Sequence, residues 1–309
     1  MPAGRAPGPP PPPPPPPLAP RALDGTGLTP LFDHHVHSDL RNADDYELMA
    51  VSGVLTALAP CSASLEARDT GSAFAARFER LAVAETARAA AYGIDLHVAL
   101  AVHAADMAGL SGALAGIEAL EEYLDHPRVR ALGELSLRSG GPDEVEVLER
   151  QLKLASARGV PVLVESPPAL APFREMLAPL AGAVERAGID PASIALLDLD
   201  EQRIDLLAEH PALHGLGGYG IAVAPRQDAL FQIREKQSHR EVLRLLERFG
   251  PERLMLNTGL HFGSADPLGL ARTVHRLRLH GVPEQIVRAL AHGNAAQFFA
   301  VPHRVPAAG

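Results

Sequence analysis

The sequence predicts an α/β protein, a (β/α)8 TIM barrel, and three observations lead there. From residue 30 onward, eight short apolar runs alternate with helical patterns. Of 309 residues, about 280 remain after an N-terminal stretch that cannot build a core, which suits a single barrel, since such barrels run to about 250 residues as one unit. No G-x-G-x-x-G follows the first strand candidate, which counts against the runner-up, an open doubly wound sheet.

The N-terminal stretch holds an unbroken run from Pro9 to Pro17. Proline has no backbone N–H to donate, so this run is expected as a polyproline II rod. Residues 1–28 read as a disordered Pro-rich tail, 29–303 as the barrel domain and 304–309 as a short C-terminal tail. The rod has two readings, a ligand for a proline-recognising domain or a tail of biased composition. It lacks the charged anchor that such docking sites use, which favours the tail.

Strand candidates are 30–37, 53–59, 95–102, 129–135, 160–165, 193–199, 213–219 and 253–258. Each is rich in Val, Leu, Ile or Ala and short enough to be a buried strand. Between them, Phe74, Phe78, Leu81 and Ala82 fall on one face of a helix over 74–92. Val145, Leu148, Leu152 and Leu154 belong to a helix over 144–158. Val242, Leu243, Leu245 and Leu246 belong to one over 240–249, with Gly250 and Pro251 as stop signals. Apolar residues make up 47% and aromatics 4%, with no Trp, so the core must be aliphatic, as buried parallel strands require.

The formal net charge is −9, and only Lys153 and Lys236 are lysines. No basic run offers a track for a phosphate backbone, so no extended nucleic-acid partner is expected, while a small phosphate-bearing substrate stays open. Cys61 is the sole cysteine, which rules out an intrachain disulfide and fits a reducing cytoplasm. It reads as a small packed residue. No run of 18 apolar residues and no N-terminal apolar segment marks a membrane span or a secretory signal, so a cytoplasmic location is expected.

In a barrel the active site lies at the C-terminal ends of the strands. The first strand ends Phe32-Asp33-His34-His35-Val36-His37. With side chains alternating at period two, His35 and His37 share one face and Asp33 lies one step lower on it. Two neutral imidazoles suit a zinc-like ion, and a nearby carboxylate can hold a second ring nitrogen. With 14 histidines in the chain, chance supplies roughly 0.6 His-x-His pairs, so the pair gains its weight from its place at a strand end. The alternative is two histidines on a wet strand end.

The same stretch resembles the D-x-H-x-H opening of TatD-like hydrolases in the amidohydrolase superfamily. Arg41-Asn42-Ala43-Asp44-Asp45-Tyr46-Glu47, Gly53-Val54, Gly71-Ser72-Ala73-Phe74 and Arg77-Phe78-Glu79-Arg80-Leu81 support the likeness. So do Gly133-Glu134-Leu135, like the family's G-E-I/L at strand four, and Asn257-Thr258 with Ser264-Ala265-Asp266-Pro267-Leu268. The likeness spans about residues 30–300. It implies a metal site that activates water to cleave a phosphoester, ester or amide. His35 and His37 would bind one divalent metal (Zn, Mn or Mg). Glu134 would join them, bridging if two metals bind.

Three positions depart from the family pattern. Glu165 stands where the family has a histidine after strand five; a carboxylate can still bind a metal, so Glu165 is a candidate ligand or catalytic group, or else a charge beside the mouth. Leu199 stands where strand six supplies another histidine and cannot ligate, leaving Asp198 or Asp200 as open substitutes. After strand eight no Asp precedes Asp266, and His261 is the nearest group for acid/base work, against the reading of a lone loop histidine. His103, Tyr219 and Arg226 are candidates for lining a substrate pocket, Arg226 for an anionic group, against their reading as ordinary loop or core residues.

The sequence therefore points to a metal-dependent hydrolase of a small polar substrate with an incomplete ligand set. The alternative is a degenerate barrel acting as a binding or pathway-accessory protein. A weaker third reading is a metal-independent lyase or isomerase.

Overall fold

The computed structural model describes residues 30–64, 66–223, 236–261 and 266–302. The proline run, Arg226 and the C-terminal tail lie outside the described residues. Eight parallel strands stand in sequence order around one sheet: β1 (Leu31–Asp33), β2 (Val54–Pro60), β3 (Asp95–Leu100), β4 (Val129–Leu135), β5 (Val162–Val164), β6 (Ile194–Leu196), β7 (Gly218–Ala222) and β8 (Leu254–Asn257). Helices follow the strands and cover the sheet, giving the (β/α)8 TIM barrel that the alternation predicts.

The helices form where periodicity and caps coincide. Residues 71–90 are helical throughout, with a π turn at Arg80–Glu85, and Phe74, Phe78, Leu81 and Ala82 are buried. The helix Pro142–Arg158 opens with proline in its first turn and closes on Gly159 at φ 62°, the left-handed conformation glycine tolerates. The helix His239–Phe249 opens with a capping box between Ser238 and Glu241.

Two apolar layers result. One lies between strands and helices. The other fills the barrel, from Phe32, Leu58, Ala99, Ala131, Leu163, Ala195, Leu197 and Met255, and is plugged by Ala295, Ala296 and Phe299 from the last helix among the described residues, Asn294–Phe298, and the residue after it. β7 contributes glycines to this inner layer. A Cβ at Gly218 would stand 2.2 Å from Met255 Cε, and one at Gly220 would stand 2.8 Å from Leu197 Cδ2, so the space is already filled.

β7 begins five residues later than the sequence suggests. The apolar residues Leu213 and Leu216 are buried but sit in a 3-10 turn and the loop after it, packed in the outer layer. Tyr219 is therefore near the start of the strand, not its end. It faces outward with Ile221 into the strand–helix layer, under the Arg253 guanidinium at 4.7 Å. Its expected place in a substrate pocket is overturned.

β1 is also shorter than 30–37 and leaves the regular ladder after Asp33. Side chains close the seam with β8. Asp33 accepts hydrogen bonds from the Thr258 amide, at 3.0 Å, and from the Thr258 hydroxyl. Below them His34 Nε2 meets Asn257 Nδ2 at 3.2 Å. Above, Val36 bridges Leu260, with His37 N–H donating to Leu260 O at 2.9 Å and Leu260 N–H to His35 O at 3.2 Å. Burial pushes the Asp33 carboxyl above its usual range, and its bonds to Thr258 oppose that shift. Replacing Thr258 with Val removes one donor to a fully buried carboxylate. The variant should lose about 1–3 kcal/mol of stability, read as a lower denaturant midpoint at unchanged m; an unmoved midpoint would show that the seam does not need this bond.

Candidate metal centre

The phase of the first strand decides which histidines reach the barrel mouth. Phe32 lies in the barrel interior and His34 packs on Phe299 of the same layer, at 5.9 Å between rings. His35 and His37 instead meet each other at the C-terminal rim, while Val36 packs in the outer layer. The alternation therefore slips by one residue between His34 and His35, where the ladder lapses. This slip corrects the expected place of Asp33. It sits at the seam, binding Thr258 and the His35 amide (3.4 Å), and not beneath the histidines. Burial pushes the pKa of His34 down to about 3, with the nearby His35 adding to the effect, so the ring is neutral.

A second slip brings in Glu134. Leu132 pairs with Val162 and Leu135 with Val164, so three steps along β4 face two along β5. Ala131 belongs to the barrel interior and Leu132 and Leu135 to the outer layer. The bulge falls at Gly133–Glu134, whose peptide is cis. It turns Glu134 into the mouth, with its amide donating to Cys61 O at 3.1 Å.

The three groups converge. His35 Nε2 lies 3.1 Å from His37 Nε2 and 2.8 Å from Glu134 Oε1, and His37 Nε2 lies 4.0 Å from that oxygen. Exposure is 2%, 0% and 1% for His35, His37 and Glu134. Tetrahedral ligands about 2.0–2.1 Å from a metal stand roughly 3.3 Å apart, so these spacings fit the edges of one coordination shell. Asp198, at the end of β6 with φ 55°, lies 3.8 Å by Oδ1 from His35 Nδ1. It stands beside the ring nitrogen that faces away from the cluster, where a carboxylate orients a ligand.

Glu165 does not join that trio. Its Oε2 lies 2.9 Å from His103 Nε2. His103, Glu134 and Glu165 form a second group whose donor atoms all lie within 4.8 Å of one another. Burial opposes a charge on His103, yet the bond to Glu165 and the charges of Glu165, Glu134 and Asp106 hold its pKa above the ordinary value. Both residues line a cavity of about 560 Å³ walled by Ala63, Ala67, Leu137 and Pro168.

Leu199 is buried in the outer layer and is no ligand. Of the two aspartates left open beside it, Asp200 caps the helix Glu201–Leu207 through the Arg203 amide at 2.8 Å and pairs with the Arg203 side chain. Asp198 is the one that reaches the site. His261 also reaches it, its ring 4.4 Å from that of His37. Two residues the sequence reading gave no role hold the segment that carries it: Arg41 Nη2 donates to His261 O at 2.7 Å, and Lys236 Nζ to Thr258 O at 2.6 Å and Gly259 O at 3.0 Å. All three acceptors lie more than 20 residues away from their donors in sequence, so local pattern carries no sign of these contacts.

Paired imidazoles and a carboxylate at the C-terminal rim of a parallel barrel make a donor set suited to a metal ion. No family model matches the chain. In sequence it is 25% identical over 269 residues to an uncharacterized metal-dependent hydrolase of Methanocaldococcus jannaschii, covering 87% of this chain and 99% of that one. In structure it is similar to a TatD-like protein of Archaeoglobus fulgidus, with TM-score 0.66, 20% identity and coverage of 87% and 100% of the two chains. It is also similar to a phosphotriesterase homology protein of Escherichia coli complexed with phosphate in its active site, with TM-score 0.64, 14% identity and coverage of 88% and 99%. The chain is thus similar to a metal-dependent hydrolase in sequence and to a TatD-like protein in fold.

The bulge is the point to test. A Cβ at Gly133 would stand 2.6 Å from Leu163 Cβ and 3.0 Å from Leu163 O. Gly133→Ala should cost about 1–3 kcal/mol through overpacking and weaken metal binding by displacing Glu134. Thermal unfolding and a metal titration check both, and a variant unchanged in either would separate the bulge from the site.

Proposed function

We propose that the chain is a hydrolase that cleaves a phosphoester, ester or amide bond of a small polar substrate with water activated by a divalent metal. The observation that carries this reading is the convergence of His35 Nε2, His37 Nε2 and Glu134 Oε1 in a buried cluster. Two imidazoles and one carboxylate fit a single borderline ion, zinc first, with manganese or magnesium as harder alternatives. When bound, such an ion acts as a Lewis acid that brings the pKa of water toward neutrality.

The chain's own residues supply the rest. Glu134 offsets the positive charge, and Asp198 Oδ1, 3.8 Å from His35 Nδ1, adds a second negative charge beside that ring. His261, packed on His37 and fixed through its carbonyl by Arg41, is the group we assign to proton transfer. The cavity beside Glu165 holds the substrate. The phosphate in the Escherichia coli fold neighbour supports starting with phosphoesters.

The test is turnover of phosphoester, ester and amide probes by protein stripped of metal and then given Zn²⁺, Mn²⁺ or Mg²⁺. Activity should vanish with chelation and return with one of the ions. His35→Ala should weaken metal binding by more than the roughly 10–100-fold typical of losing a residue that merely supports a ligand. His261→Ala should keep the metal and lose about 10²–10⁴-fold in rate. A chain that holds metal and turns over none of the probes would be a binding or pathway-accessory protein, the reading that the departures at Leu199 and Glu165 favour.

A further inference from the structure

We infer that the His103–Glu165 pair is a fixed hydrogen-bonded unit on the floor of the substrate cavity and not a second metal site, so that the centre takes one ion per chain. The inference rests on the proposed metal reading of His35, His37 and Glu134 for its stoichiometry, and on the tautomer of His103 for its cause.

The donor atoms of His103, Glu134 and Glu165 are close enough for a cation. What they lack is a lone pair in the right place. The Ala105 amide donates to His103 Nδ1 at 3.1 Å. A nitrogen that accepts a hydrogen bond from an N–H holds no proton, so this contact keeps the ring in a one-proton form although the Glu165 charge favours a second proton. The proton is therefore on Nε2, the atom 2.9 Å from Glu165 Oε2, and Nε2–H donates to that carboxylate. Binding a metal at Nε2 would require moving the proton to Nδ1, where it would face the Ala105 N–H.

The turn that carries this amide is pinned. Ala104 N–H donates to Ser136 Oγ at 3.1 Å. Asp106 accepts from the Ser64 amide at 2.8 Å, the Ser64 hydroxyl at 3.0 Å and Arg68 Nη1 at 2.7 Å. Asp106 and His103 are each 2% exposed, so the turn is anchored at both ends by buried side chains.

The experiment is metal stoichiometry of the full chain with Zn²⁺ and with Mn²⁺, by native mass spectrometry and elemental analysis, together with long-range ¹H–¹⁵N NMR of the histidine rings, His103 being assigned through His103→Gln. One ion per chain is expected for the wild type and for Glu165→Gln, and none for His35→Ala. The His103 proton should stay on Nε2 before and after loading. Two ions in the wild type falling to one in Glu165→Gln would overturn the inference and leave the proposed hydrolase intact. No ion in the wild type would sink the metal reading and the count of one together, and the NMR would still decide the tautomer. A proton that moves to Nδ1 on loading would overturn the inference whatever the count.

Discussion

The Asp33–Thr258 contact holds the arrangement together. β1 and β8 meet where the strand ladder gives out, and a buried carboxylate takes both the amide and the hydroxyl of Thr258 across the gap. A buried carboxylate is costly unless its oxygens are bonded, so this contact is all or nothing in character. Beneath it Asn257 holds His34, and above it Leu260 exchanges backbone bonds with His35 and His37. The metal-type histidines are thus carried on a strand secured to its neighbour at discrete points. That freedom from a regular ladder is what lets His34 fill the barrel while His35 and His37 both reach the rim.

The same irregularity marks the limit of what the sequence can reveal. Buried parallel strands are continuous apolar runs, so all eight were legible, and so was the His35–His37 pair at a strand end. Burial, however, is not extension. Leu213 and Leu216 carry the apolar signal of a strand while packing from a turn and loop, which shifted β7 and misplaced Tyr219. Period-two reasoning joined His35 to His37 correctly and failed for Asp33, because the phase slips between residues 34 and 35. Glu134 shows the converse: alternation from Ala131 would turn it away from the mouth, and the bulge beside Gly133 turns it in. A glycine before an acidic residue hints at such a bulge but does not locate it.

Long-range partners were invisible for a different reason. Glu165 reads from the sequence as a carboxylate in a ligand's place, and nothing nearby says that a histidine 62 positions earlier will bind it. Asp198 and Asp200 are two residues apart with the same chemistry. One is consumed as a helix cap, where its side chain satisfies an otherwise orphaned amide, and the other reaches the site because its backbone adopts φ 55°. Only backbone conformation separates them.

The departure at Glu165 and the contact with His103 are best understood as one adjustment. A carboxylate at the end of β5 brings a second negative charge within 4.8 Å of Glu134. Two carboxylates that close disfavour each other's ionised forms, and a protonated Glu134 would lose its value beside His35. The His103 Nε2–H bonded to Glu165 offsets that repulsion, because it stabilises the Glu165 charge where it stands, leaving Glu134 directed at His35, 2.8 Å away. The rim thereby carries two histidine–carboxylate groups, one on each side. On the β1 side imidazole nitrogens converge on an oxygen, and on the β3–β5 side an imidazole N–H is already committed to one. A site built this way can keep one charged centre dry and leave a separate polar floor for whatever enters the cavity beside it.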